Sequence, residues 1–320
     1  MQTVRYTALF IALLTCCLQR TWGAETDQFM TWDIELRDCS AAFNRYINNG
    51  IEEFLGKVNQ RTRRPTTSQG LVQDLYLYFF QGLHASRVRE WLKTSEEVDR
   101  YPDDSISLYR YQRESVFRGL SFPYILPMSR TIRVGEVYTG IDKIGHFFGY
   151  GRRYFHRYLE HRQAGLTDEE AMQRIVRWGI LHEGVFVGKV VDGIFSHGDL
   201  EANFQGFRMA RDLCDSVNPC LVQFEGRWQL ERPVDMRDYV TPDFDESYNT
   251  CHYWAARRKN VLPLLRSEYC EKRTLPNLLA RFARYRRVQP SFSQRVIEKY
   301  YEKRGRNPQR EQSLEAICAE

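Results

Sequence analysis

Gly140-Ile141-Asp142-Lys143-Ile144-Gly145-His146-Phe147, then His182-Glu183-Gly184, then Asp192-Gly193-Ile194-Phe195-Ser196-His197-Gly198-Asp199-Leu200-Glu201-Ala202-Asn203 are three polar clusters within residues 140 to 211, separated by apolar segments at helical spacing. The spacing predicts three helices, over 142–161, 168–191 and 197–214. Thr167 with Glu170 three residues on reads as a capping box for the second, and Ser196 with Asp199 caps the third. On the first helix Asp142 and His146 are four apart and share a face, flanked by Gly145 and Gly149 with Gly151 beyond. Gly179, Glu183, Gly184 and Gly188 mark one side of the second, and Asp199, Asn203 and Gly206, beside Ala202 and Ala210, mark the third. A glycine inside a helix costs about 1 kcal/mol relative to alanine, so these faces imply close approach of another backbone or a ligand.

If the faces meet, Asp142, His146, Glu183, Asp199 and Asn203 converge. Buried carboxylates must share protons, bind a cation, or pair with His146 and Lys143. Two readings stay open. One is a satisfied polar network that fixes helix register. The other is an active or cation site, with His146 or Glu183 as general base beside Asp142, and with all five residues as candidate ligands of a divalent cation. Several familiar motifs are absent. His182-Glu183 does not continue as HExxH because Phe186 stands at the last position. Ser196 lacks the GxSxG frame, and no P-loop or dinucleotide fingerprint is present.

Outside this stretch, residues 1–23 read as a secretory signal: Arg5 supplies the positive charge, 8–14 a short apolar run, and Thr21 and Gly23 the small residues before Ala24. A lipoprotein reading through Cys16 or Cys17 fits less well, because Thr15 or Cys16 makes a poor lipobox. No other stretch is apolar enough for a transmembrane helix. Six cysteines remain, Cys39, Cys214, Cys220, Cys251, Cys270 and Cys318, and in an exported chain they suggest disulfides. Cys214 and Cys220 bracket a turn-rich loop that could close locally. The pattern from Leu36 predicts a helix to about residue 54, and 71–91 a second with an aromatic stripe at Tyr76, Tyr78, Phe79 and Phe80. Residues 105–139, with Pro123 and Pro127, read as a wrapping loop that ends in a small hairpin at 131–138, and 221–230 reads as another hairpin. Short helices follow from about 253, 275 and 291. From Arg257 to Arg310 there are 16 Lys or Arg against 4 acidic residues, which suits an anionic partner.

Asp142-Lys143-x-x-His146-Phe147, the later Glu183, and Asp199-Leu200-x-Ala202-Asn203-x-x-Gly206 resemble the DK..HF, E, DL.AN..G order of VanZ-like proteins and related bacterial envelope proteins. The resemblance covers roughly 70 residues and implies a shared architecture around the cluster, with no named reaction. VanZ-like proteins span membranes, whereas Arg152, Arg153, Arg157, Arg162, Arg174 and Arg177 make these helices too charged to lie in lipid. The chain as a whole looks more like an uncharacterised group of exported proteobacterial proteins.

The expected fold is mainly α: a disulfide-stapled helical bundle with small β-hairpins. The expected division is a signal at 1–23, a helical domain at 24–274 and a basic helical extension at 275–320. The preferred function is an exported, periplasmic or secreted, envelope protein whose polar cluster is structural. Its basic tail would meet an anionic membrane surface or lipopolysaccharide, and nothing in the chain marks nucleic-acid binding. The alternative is a periplasmic, cation-assisted hydrolase of an envelope lipid or glycan. A solvent-reachable pocket onto His146 and Glu183 would favour the enzyme, and a sealed cluster the structural reading.

Overall fold

Gly135, with φ +61°, turns the chain between β1 (Thr131–Val134) and β2 (Val137–Gly140), and this hairpin feeds directly into the central helix α5 (Ile141–Gln163). The computed structural model describes residues 24–81, 86–118, 128–184, 193–306 and 313–319. The hairpin-to-helix junction has no room for a side chain: a Cβ on Gly140 would lie 2.1 Å from the Asp142 carboxylate and 2.3 Å from the Thr26 hydroxyl. α7 (His197–Leu213) crosses α5 where Gly151 meets Gly206. A Cβ on Gly206 would stand 1.9 Å from the Phe147 carbonyl oxygen, and one on Gly151 would stand 2.8 Å from Gly206 Cα. The glycines thus let two backbones touch, which is what their unfavourable helix propensity implied.

α6 (Asp168–His182) opens on the Thr167–Glu170 capping box, with both reciprocal bonds formed. Gly179 of α6 lies under the Tyr154 hydroxyl, where a Cβ would be 1.6 Å from the oxygen. The sequence pattern continued this helix to 191. The regular helix ends at His182, a wider turn takes in Glu183 and Gly184, and the rest of that expectation, with Gly188, lies outside the described residues. The signal at 1–23, and Pro123 and Pro127 with the segment around them, lie outside them too.

Among the described residues, four α-helices precede the hairpin: α1 (Ser40–Asn59), α2 (Ser68–Phe79), α3 (Arg87–Thr94) and α4 (Leu108–Glu114). α1 buries Phe43, Ile47, Ile51, Phe54, Leu55 and Val58, spaced in threes and fours on one face. The single helix expected over 71–91 is two. α2 stops at Phe79, and Phe80 turns extended and lays its ring on α5, where a Cβ on Gly149 would lie 2.8 Å from it. Arg89 of α3 uses the neighbouring space at Gly145. The α5 glycines therefore form a groove for the residues that break the predicted helix.

Beyond α7, β4 (Leu221–Phe224) and β5 (Arg227–Leu230) form the second expected hairpin. Glu225 and Gly226 both have positive φ, as a two-residue type I′ turn requires. β3 (Ile194–Phe195) pairs with β6 (His252–Tyr253), so the fold holds three small two-stranded antiparallel sheets among the described residues. α8 (Ala255–Glu268), α9 (Pro276–Tyr285), α10 (Phe292–Glu302) and α11 (Leu314–Ala319) complete the chain. Residues from 275 onward pack on the core: Leu278, Phe282, Tyr285 and Ile297 are buried, and Asn277 Nδ2 donates to the Trp32 carbonyl. Arg281, one of the basic residues in the run from Arg257 to Arg310, is buried, donates to the Thr31 carbonyl and lies 3.5 Å from the centre of the Tyr138 ring. No helix among the described residues is long and apolar enough to cross a membrane.

Cys270 and Cys318 are joined, with Cα atoms 5.5 Å apart, and tie the end of α8 to α11. Cys39, Cys214, Cys220 and Cys251 carry free thiols, so the local Cys214–Cys220 closure does not form; Cys214 Sγ instead lies 3.2 Å from the Ala210 carbonyl. Protein starting at Ala24 should therefore show four reactive thiols when denatured without reductant, those of the four free cysteines, and two more after reduction. Six thiols before reduction would contradict the staple.

Candidate functional site

Lys143, in the first turn of α5, is fully buried and ends among three carboxylates. Its Nζ lies 2.8 Å from Asp142 Oδ2, 2.8 Å from Asp199 Oδ1 and 2.7 Å from Glu246 Oε1. The Thr26 hydroxyl donates to the other oxygen of Asp142, and the Asp142 backbone N–H donates to Ser129 Oγ at 3.1 Å. Ser196 has two roles. It accepts the Asp199 N–H at 2.9 Å as the cap of α7, and its hydroxyl donates to Glu246 Oε1. Gln28 Oε1 accepts the Glu246 N–H at 2.8 Å. Gly198 leaves space for the stem of Lys143, since a Cβ there would be 3.2 Å from Lys143 Cε. Four chain segments, the 26–28 stretch, α5, α7 and the 242–250 loop, thus meet at one ammonium group.

Burial alone would neutralise Lys143, but Asp142, Asp199 and Glu246 outweigh it and hold the ammonium well above its ordinary pKa. Burial pushes the Asp142 carboxyl up, and the Lys143 ammonium with the Thr26 hydroxyl more than reverses this, leaving it below the carboxylate range. Glu246 goes the other way: burial raises it, Lys143 only partly opposes this, and the charges of Asp199 and Asp142 add to the rise. A spare proton in the cluster therefore goes to Glu246 more readily than to Asp142.

His146 Nε2 lies 3.3 Å from Asp199 Oδ2, and the ring stacks on Tyr150 at 5.4 Å. Burial keeps the imidazole below its ordinary pKa despite Asp199. Asn203 lies beside His146 and Tyr154, but Asn203 Oδ1, His146 Nδ1 and the Tyr154 hydroxyl complete no hydrogen bond among the described residues. Glu183 is buried at the end of α6, and its charge acts on Tyr150 and Tyr154. So Asp142, His146 and Asp199 converge as the sequence suggested, Asn203 borders them, and Glu183 joins through the tyrosine layer. The centre of the cluster is Lys143, and its third carboxylate, Glu246, comes from the 242–250 loop, whose sequence carries no helical or strand period.

The donor set does not suit a metal. Among the described residues no group of three or more His, Cys, Asp or Glu side chains is arranged to hold an ion. Lys143 Nζ already occupies the point between the carboxylates, and a second cation there would be repelled at close range. Side-chain exposure is 0% at Lys143, 3% at Asp142, 7% at Asp199 and 5% at Glu246, and rises only to 14% at His146. Comparison with family models, curated proteins and solved structures finds no match to this chain.

His197, first residue of α7, is fully buried against Phe195, and neither ring nitrogen has a hydrogen-bond partner among the described residues. Burial, helped by His252, pushes its pKa down to about 3. The unfolded chain takes up a proton near the ordinary value of about 6.5 and the folded chain does not. Stability from this group is thus complete above about pH 6.5 and is lost as pH falls from there toward 3, at about 1.4 kcal/mol per unit at most. His197→Phe should flatten that decline, read as denaturant midpoint against pH. An unchanged slope would show that His197 does not drive it.

Proposed function

We propose that this chain is an exported, non-catalytic bacterial envelope protein, in which the Lys143 cluster fastens the helices and the basic C-terminal face engages anionic envelope components. The observation that carries the non-catalytic part is the burial of Lys143 against Asp142, Asp199 and Glu246. A general base has to reach a substrate proton, and a Lewis-acid site needs an open coordination position. Carboxylates sealed around a lysine supply neither. What also weighs against the hydrolase reading is that His146, a candidate general base, has a side chain only 14% exposed and lies 3.3 Å from the sealed Asp199 carboxylate.

The partner half rests on charge. Arg284, Arg286, Arg287, Arg295, Lys299 and Lys303 are exposed on and between α9 and α10. Arg284 Nε lies 2.7 Å from Glu136 Oε2. Exposed Leu279 and Val288 flank them. Phospholipid headgroups or lipopolysaccharide phosphates fit such a face, with roughly 1 kcal/mol per basic residue near an anionic surface.

Deleting 275–320 would uncover core residues such as Phe282 and Tyr285, so charge reversal is the cleaner test. The triple variant Arg286→Glu, Arg287→Glu, Arg295→Glu should lower binding to anionic vesicles by about a hundredfold. Wild-type binding should weaken steeply with salt, because screening sets in within about 8 Å at physiological ionic strength. Equal binding of variant and wild type would overturn the surface assignment.

A further inference from the structure

Asp142, Asp199 and Glu246 share Lys143, and Asp245 lies in the field of Arg281. Glu201 and Asp243 form no ion pair among the described residues. Glu201, on α7, is fully buried, and both its oxygens are taken. Gln205 donates to Oε1 at 2.6 Å and Thr241 at 3.2 Å, while Ser291 and Ser293 donate to Oε2. Asp243 lies close enough to feel that charge, and its carboxyl has no hydrogen-bond partner among the described residues. It instead lines a cleft of about 170 Å³ with Tyr248, Tyr285, Gln289, Gln294 and Glu298. The Tyr285 hydroxyl is already committed, donating to Asp245 and accepting the Tyr138 N–H, so the cleft meets its ring.

We propose that this cleft binds a small organic ammonium group, of the kind carried by ethanolamine headgroups and amino sugars, with its charge beside Asp243 and its carbon skeleton against Tyr248 and Tyr285. A positive charge relieves the repulsion between two adjacent carboxyls, and tyrosine faces attract ammonium groups. Rings and prolines share the wall with Asp243, Glu298 and two glutamines, so calcium, a hard ion that needs six or more oxygen ligands, is the competitor to test against the ammonium group. The volume suits a headgroup-sized ligand. Glu298 on α10 adds negative charge at the cleft, Gln289 and Gln294 offer neutral amides, and Arg286 acts on Tyr248 from outside. Burial and Glu201 push the Asp243 carboxyl up to about 8, so a bound cation displaces its proton and binding tightens as pH rises toward that value.

Isothermal titration of the full chain with ethanolamine hydrochloride, and separately with glucosamine, tests the site. At least one should bind with one equivalent and at least about tenfold more tightly near pH 8 than near pH 6. Asp243→Asn should lose about tenfold or more, with its circular dichroism unchanged. Glu298→Gln, at an exposed position, should lose a few-fold and keeps the test informative should Asp243→Asn misfold. The stronger of the two ligands identifies the source of the ammonium. No binding at either pH, full affinity in Asp243→Asn, or Asp243-dependent binding of glucose or calcium instead would each overturn the proposal.

Discussion

Lys143→Met should abolish stable folding or lower the Tm by about 10 °C or more. The methionine keeps the length of the side chain and removes its charge. Asp142, Asp199 and Glu246 would then be left in a sealed space around a thioether. Removing one partner of a buried ion pair typically costs about 3–5 kcal/mol, and here one cation serves three acids. Two of them could take up protons, so the loss should be partly recovered at low pH. Adding Asp142→Asn, Asp199→Asn and Glu246→Gln to Lys143→Met should recover stability at neutral pH, because neutral groups of similar shape no longer need the ammonium. Equal melting of Lys143→Met and wild type would show that the lysine does not hold the four segments together.

Gly206→Ala should be the most damaging of the small substitutions. Its methyl group would sit 1.9 Å from the Phe147 carbonyl oxygen and 2.7 Å from its carbon, and backbone cannot rotate aside as a side chain can. α5 and α7 would have to part at their crossing, and the Gly206 carbonyl also accepts from the buried Tyr76 hydroxyl. Overpacking in a tight core costs about 1–3 kcal/mol or more, and this site lies at the upper end. Gly56 supplies the control. It sits in α1 with nothing within 4 Å of its Cβ position, so Gly56→Ala should stabilise by up to about 1 kcal/mol through helix propensity alone. Urea denaturation of both variants reads out the contrast. A Gly206→Ala protein as stable as wild type would mean that the helices do not touch there.

Much of the helical framework is legible in the chain because it follows from local rules. The Thr167–Glu170 box, the Ser196 cap and the Glu225–Gly226 turn each require particular residues at fixed spacing, and each forms. The glycines on α5, α6 and α7 likewise announced close contacts. What they could not announce was the visitor: Gly149 receives the Phe80 ring, Gly179 the Tyr154 hydroxyl, and Gly151 and Gly206 bring two helix backbones together. The break after Phe79 was hidden because the aromatic stripe continues in period while Phe80 serves a tertiary contact. The site shows the same division. Asp142, His146, Asp199 and Asn203 lie on helix faces whose periodicity points inward, so their convergence could be anticipated. Glu246, Thr26 and Gln28 come from irregular segments, where direction is set by long-range packing. Lys143 was in view from the start as a neighbour of Asp142. Its central place emerges only once Glu246 and Asp199 are seen to close around it.

Lysine, in place of a metal ion, is the resident cation of this cluster. Thermal melting of the wild type in chelator, then with magnesium, calcium, manganese or zinc, alongside Asp199→Asn, measures this directly. Anything that binds the folded state raises its melting temperature by mass action. The expected result is that no ion raises the wild-type melting temperature by an amount that Asp199→Asn removes. A metal-specific rise abolished by Asp199→Asn would contradict it and return Asp142, His146, Glu183, Asp199 and Asn203 to the role of a cation site.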